Sequence, residues 1–204
     1  MVKYIKGHLV IMLLLLTYSC IPPIIHNKMR LTNWDDGDEK ILNSNGYYYS
    51  VYDRSNITDS KQGKGIYMKI FLENGFTYTV RNGYGSECGK VVDLSCEISV
   101  SERMLTAYLE SPKSKKINTM DIWNWGKYKI IKDSILIQTY YNHQGDYYLK
   151  EEVGERLAPS SFRILQIRDY RTDKVEKVNR IFNFKIFDVH LIQDKVPQNK
   201  VFRR

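Results

Sequence analysis

The chain has 204 residues, 31 Lys and Arg against 23 Asp and Glu, a formal charge of +8, and 16 Tyr against 5 Pro. That length holds one domain of roughly 150–160 residues with appendages and a sound core. Basic and acidic residues are interspersed, with no Lys/Arg run of the kind that tracks a phosphate backbone, which argues against a nucleic-acid partner. The wealth of Tyr leans toward pleated, half-buried β surfaces.

The first stretch reads in three parts. Lys3 and Lys6 make a basic start, Leu9 to Leu16 is uninterrupted apolar sequence, and Thr17-Tyr18-Ser19 leads into Cys20. This predicts an export signal over 1–19, because the apolar part falls short of the roughly 20 residues that span a bilayer. The stretch resembles a bacterial lipoprotein signal, with Ser19 as the small residue and Cys20 as the lipid acceptor, although Thr17 and Tyr18 depart from the usual Leu and small residue. A plain signal peptide beside a chance Cys is the alternative. The resemblance implies lipid attachment at Cys20 and a place in the bacterial cell envelope, anchored to a membrane. The run IPPIIHNKMR after Cys20 carries no acidic residue, which favours the periplasmic side. Residues 20–45 have no clear period and read as a lipid-anchored tether.

Alternation begins at Tyr47 to Asp53. Ile66, Met68, Ile70 and Leu72 share a face, Asn74-Gly75 is a strong hairpin signal, and Phe76, Tyr78 and Val80 return. With Cys20 acylated, Cys88 and Cys96 are an even pair in an oxidising space, which predicts a disulfide around the short loop GKVVDLS. Ser99 with Glu102 spells a capping box for a helix over 99–111. Met104, Leu105, Tyr108 and Leu109 form its stripe, and Pro112 stops it. A second hairpin pairs Lys127–Lys132 with Ile135–Asn142 across Asp133-Ser134. Strands follow at Tyr147–Val153, Phe162–Tyr170 and Val175–Phe187, with Gly154 to Ser161 as a connection. The basic tail, 188–204, is weakly patterned and reads as loose.

The run from Trp125-Gly126-Lys127-Tyr128 through Asp133-Ser134 to Ile137-Gln138 resembles a hairpin of bacterial lipocalin-like lipoproteins. Asn45-Gly46-Tyr47-Tyr48 sits where that family opens its first strand, with Tyr48 in the place of the Trp of G-x-W. The expectation is a mainly β domain over 46–187. It is an antiparallel up-and-down meander of about eight strands with one short helix, forming a lipocalin-like barrel or a strongly curled sheet. The stripe Ile66, Met68, Ile70, Leu72 and the stripe Val178, Phe182, Phe184, Ile186 should line one shared interior.

No chemistry is legible. His26, His143 and His190 have no ligand-spaced partner, so neither a metal nor a cofactor is expected. No catalytic motif is present, which predicts a non-enzyme. Trp123, Trp125, Tyr48 and Tyr140 are the candidate ligand-binding residues, since inward aromatic rings could hold a small apolar molecule. Rings that merely fill and shield the sheet are the competing reading. Two functions follow: a lipid-anchored barrel that binds a small apolar ligand, or an envelope structural and protein-interaction lipoprotein with a filled barrel.

Overall fold

In the computed structural model, residues 23–31, 42–54, 62–80, 87–112, 122–198 and 200–202 are described. The expected export signal over 1–19, Cys20 with residues 21 and 22, and residues 32–41 of the expected tether lie outside the described residues.

The elements run β1 (Gly46–Asp53), β2 (Gln62–Phe71), β3 (Phe76–Val80), β4 (Val91–Val92), α1 (Leu94–Glu110) and β5 (Trp125–Ile131). They continue with β6 (Ser134–His143), β7 (Asp146–Ala158), β8 (Ser161–Asp169) and β9 (Lys174–Ile186). Apart from β4, each strand pairs antiparallel with the next in the chain, and β9 returns to β1. Tyr48 has Lys69 on one side and Phe184 on the other, so eight strands close into an up-and-down barrel. Closure pairs both edges that an open meander would expose. β4 stands outside the ring, parallel to the start of β2.

Turn chemistry sets the hairpins. Gly75 adopts φ 79°, and its N–H donates to the Leu72 carbonyl at 3.1 Å, which closes the expected β2–β3 turn. The β5–β6 turn is centred on Lys132-Asp133, one residue earlier than expected, with Lys132 at φ 57°. β7 does not stop at Val153. A Cβ on Gly154 would lie 1.9 Å from the Arg163 carbonyl oxygen, so this glycine lets β8 close onto a bulge inside a continuing strand.

The helix also starts earlier than the capping box implies. Asp93 caps it, its side chain accepting from the Cys96 N–H at 2.7 Å. Ser99 is an exposed residue within the helix. Glu102 instead turns to the barrel, accepting from Tyr47 Oη at 2.7 Å and Lys185 Nζ at 2.8 Å. The expected disulfide joins Cys88 to Cys96, tying the approach to β4 to the first turn of α1.

Two large cores result, one on each side of the barrel wall, beside a small cluster of Cys88, Val92 and Val100. Tyr48 meets Phe71, Phe162 and Phe184, and Phe71 meets Phe162 at 5.5 Å. Since β2 and β8 are not neighbours in the ring, that contact crosses the inside. Ile130, Ile135, Ile137, Ile164 and Phe182 belong to this inner cluster. Side chains alternate along a strand, so Tyr47, Ile66, Met68, Ile70, Leu72, Tyr78 and Trp125 face out. They form the larger core beneath a cover supplied by Leu105 and Leu109 of α1, Met29, Ile192, Val196 and Phe202.

The two apolar stripes therefore do not share an interior. The β2 stripe Ile66, Met68, Ile70, Leu72 is the outer wall, whereas Val178, Phe182 and Phe184 of β9 look inward and Ile186 is 75% exposed. The cover also changes the reading of the ends. Residues 23–31 lie along β6 and β7, and the stretch expected to be a loose tail buries Val189, Ile192, Val196 and Phe202 through 3-10 turns at His190–Lys195 and Lys200–Phe202. Apolar residues three to six apart gave these turns a face to dock.

Candidate functional site

The barrel interior is the natural place to look for a ligand. At the end carrying the β2–β3, β5–β6 and β7–β8 turns, its described residues form a packed aromatic plug. Ring centroids among Tyr48, Phe71, Tyr128, Phe162 and Phe182 are 4.7 to 5.5 Å apart. Such pairs contribute about 0.5–1.5 kcal/mol each beyond their buried area. Tyr48 Oη donates to the Pro159 carbonyl at 2.6 Å and accepts from the Asn43 N–H at 2.8 Å. Burial pushes this phenol up to about 12, against the pull of the Asn43 N–H.

Past the plug the interior turns ionic. Lys69 Nζ lies 2.6 Å from Glu152 Oε2, with the two side chains 2% and 3% exposed. They stand on β2 and β7, four places apart in either direction round the ring, so the pair is a strut across the barrel. Lys69 also donates to Thr79 Oγ1 at 3.3 Å, and Lys150 Nζ approaches Glu152 Oε1 at 3.4 Å. Burial pushes the Glu152 carboxyl up, but Lys150 and Lys69 outweigh it and hold the group at about 2. Burial pulls Lys69 down, and Glu152 resists. Beyond the strut, the Arg180 guanidinium stacks over the Tyr67 ring at 4.3 Å and Tyr67 meets Tyr52 at 4.6 Å. A second buried pair joins Arg54 to Glu97 of α1 at 2.7 Å, with Arg54 Nε donating to the Lys64 carbonyl.

Outside the barrel, beside the plugged end, an open groove of about 440 Å³ lies between the β2–β3 turn and the 3-10 turn after β9. Leu72, Phe187 and Ile192 give it apolar walls; Glu73, Asp188 and His190 give it polar ones. Asp188 Oδ1 accepts from the His190 backbone N–H at 3.1 Å and meets its ring Nδ1 at 2.5 Å, which holds the Asp188 carboxyl below its usual range. The same end of the barrel exposes Ile131, Leu157 and Ile186, at 56%, 44% and 75%.

The candidate ligand-binding aromatics are not brought together. Tyr48 is inside the barrel, in the plug. Trp125 is in the outer core, its Nε1–H donating to Tyr108 Oη of α1 at 3.2 Å and its ring 5.0 Å from Tyr78. Trp123 packs half-buried against the same core. Tyr140 is also on the outer side, donating to the Asn27 carbonyl at 2.8 Å and accepting from the Met29 N–H at 3.1 Å. The described residues contain no group of three or more His, Cys, Asp or Glu placed to hold a metal ion.

Sequence reasoning missed the Lys69–Glu152 strut, and a signal for it existed. Lys69 interrupts an apolar run between Met68 and Ile70 in the middle of a strand. It also passed over Ile131 and Leu157, each at a strand end, and placed Ile186 in the interior, where the structure leaves it 75% exposed. No protein-family model matches the chain, and no curated protein or solved structure matches it.

Proposed function

We propose that this chain is a non-catalytic lipoprotein of the bacterial cell envelope, lipid-anchored through Cys20 on the periplasmic side, whose barrel is a filled scaffold that binds a protein partner. The observation that carries this reading is the interior itself. A ligand cup needs free volume between opposite strands, and here opposite strands are bridged by Lys69 and Glu152 above a packed aromatic plug. The small apolar ligand, the other reading of the sequence, finds a charged strut where it would need an apolar wall. Desolvating that strut for an apolar guest brings no compensating contact.

The working surface in this reading is the plugged end. Exposed Ile131, Leu157 and Ile186 stand with a groove walled by Leu72 and Phe187. Apolar side chains rimmed by Glu73 and Asp188 have the make-up of a protein contact, where an apolar centre is surrounded by polar residues. Photocrosslinkers placed at Ile131, Leu157 and Ile186 in intact cells should trap one discrete partner, while a crosslinker at Lys177 on β9 should not. Native mass spectrometry of the purified protein decides between this reading and the ligand-binding alternative. A stoichiometric apolar adduct, with no crosslinked partner, would overturn the filled-scaffold reading.

A further inference from the structure

The N-terminal segment is fastened at one end of the barrel. The Ile24 N–H donates to Asp146 Oδ1 at 2.9 Å, and the Ile24 carbonyl accepts from the Tyr147 N–H at 2.8 Å. The His26 N–H donates to the Tyr147 carbonyl at 3.0 Å. The His26 ring meets Asp146 Oδ2 at 2.9 Å and stacks on Tyr148, centroids 4.4 Å apart and planes within 2°. Met29 is then held by Tyr140, and Arg30 and Leu31 by Gln138 Oε1 at 2.8 and 3.1 Å. The segment thus starts at the β6–β7 turn and runs inward along β6, away from that end.

This fixes where an anchor could leave. Two residues, Ile21 and Pro22, separate Cys20 from Pro23, so three Cα-to-Cα steps join them. Whatever path they take, such a stretch spans no more than about 10 Å. β7 has 13 residues and runs from the β6–β7 turn to the β7–β8 turn. At roughly 3.3 Å per residue and a tilt near 40°, the two ends of the barrel stand about 30 Å apart. A lipid on Cys20 therefore reaches a bilayer beside the β6–β7 turn and falls short of one beside the β7–β8 turn.

We propose that the barrel stands on its membrane with the end bearing the β6–β7 and β8–β9 turns against the lipid surface. This rests on acylation of Cys20, as argued for the function above. The face fits a lipid surface. The Ile24 side chain is 53% exposed beside the β6–β7 turn, and the β8–β9 turn carries exposed Arg171 and Lys174. Asp173 in that turn is paired with Arg168 at 2.8 Å, and Arg171 Nε donates to Tyr141 Oη at 3.3 Å, which holds its exposed guanidinium at this end, where with Lys174 it presents positive charge to anionic headgroups. The groove and Ile131, Leu157 and Ile186 then point away from the membrane, toward partners.

The test uses the full-length acylated protein in phosphatidylethanolamine–phosphatidylglycerol vesicles that contain a headgroup-nitroxide lipid. A fluorophore is attached through Gln144→Cys in the β6–β7 turn or through Ser160→Cys in the β7–β8 turn. The expected result is several-fold stronger quenching at position 144 than at 160. Equal quenching, or stronger quenching at 160, in protein that floats with the vesicles and carries an acylated Cys20 peptide overturns the orientation and leaves the anchor standing. An N-terminal peptide without acyl chains, in protein that does not float, overturns the anchor and the orientation with it. A long Gly/Ser linker inserted between Cys20 and Pro23 should erase the difference between the two positions. A linker variant that keeps the full difference overturns the claim that the short connection sets it.

Discussion

A lysine and a glutamate facing each other inside a barrel are costly to desolvate, and each is tolerable only because the other is there. Removing one partner leaves a buried charge, so Glu152→Gln should lose about 3–5 kcal/mol of stability in urea unfolding. The double variant Lys69→Met, Glu152→Leu should come back to within about 1–2 kcal/mol of the parent, because it removes the cost together with the attraction. Acid acts in the same sense. Glu152 titrates below its unfolded value, so its contribution is complete above the ordinary carboxylate range and is lost as pH falls toward about 2. The urea midpoint should drop across that window, and the part of the drop due to this group should vanish in the double variant. The sequence hid this pair for a physical reason. Alternation assigns faces by polarity, and a charged residue between Met68 and Ile70 marks its own face as the wet one unless its partner on a distant strand is known.

At the scale of elements, α1 is held by its cap, its disulfide and the aromatic contact beneath it. Asp93→Ala should cost about 1 kcal/mol, the usual loss of an N-cap side chain. Cys88→Ala with Cys96→Ala should cost about 2–3 kcal/mol, as expected for opening so short a loop. Alkylation of the unreduced folded parent should label neither of these two cysteines. Trp125→Ala removes a 2% exposed ring from between Tyr78 and α1 and should cost about 3–5 kcal/mol, seen as a lower thermal midpoint. The elements themselves were largely legible: Asn74-Gly75, the β5–β6 hairpin and Pro112 each mark a boundary through local chemistry. The helix start was misplaced because two N-cap signals compete, Asp93 and Ser99, and the disulfide and the docking of Glu102 favour the first. Gly154 was read as punctuation because nothing local distinguishes a glycine that ends a strand from one that admits a neighbouring backbone.

For the whole molecule, the cover over the outer core matters as much as the barrel. Phe202 packs against Phe76 and Tyr140, at 5.6 and 5.9 Å, and closes this layer from the C-terminal side. Phe202→Ala should cost about 3–5 kcal/mol, and the loss should appear as faster amide exchange at Phe76 and Tyr140. A truly loose tail would show neither effect. The candidate site was legible only in part. The exposed apolar residues are at strand ends, where period-2 patterning is silent on Ile131 and Leu157 and assigns Ile186 to an interior that has already ended, and the segments at the two ends of the chain have too little periodicity to announce that they dock. Their apolar residues do share a face, but only once the barrel supplies a surface for that face.

The closing seam, where Tyr47 and Tyr48 of β1 meet Lys185 and Phe184 of β9, joins residues about as far apart in sequence as the domain permits. Until the last strand is available, β1 can pair on one side only, with β2. Completion of the ring is therefore a late event, and the chain must pay the entropy of its longest loop closure before that seam gives anything back. Under the export proposed above, in which the chain would leave the cytoplasm through a narrow channel, this delay is useful. The barrel cannot lock while its C-terminal third is still inside, so the polypeptide stays threadable until export is nearly complete. In stopped-flow refolding the seam should form in the slow, millisecond-to-second regime of non-local β topologies, after the β6–β7 hairpin, and a circular permutant that makes β9 and β1 sequence neighbours should fold faster.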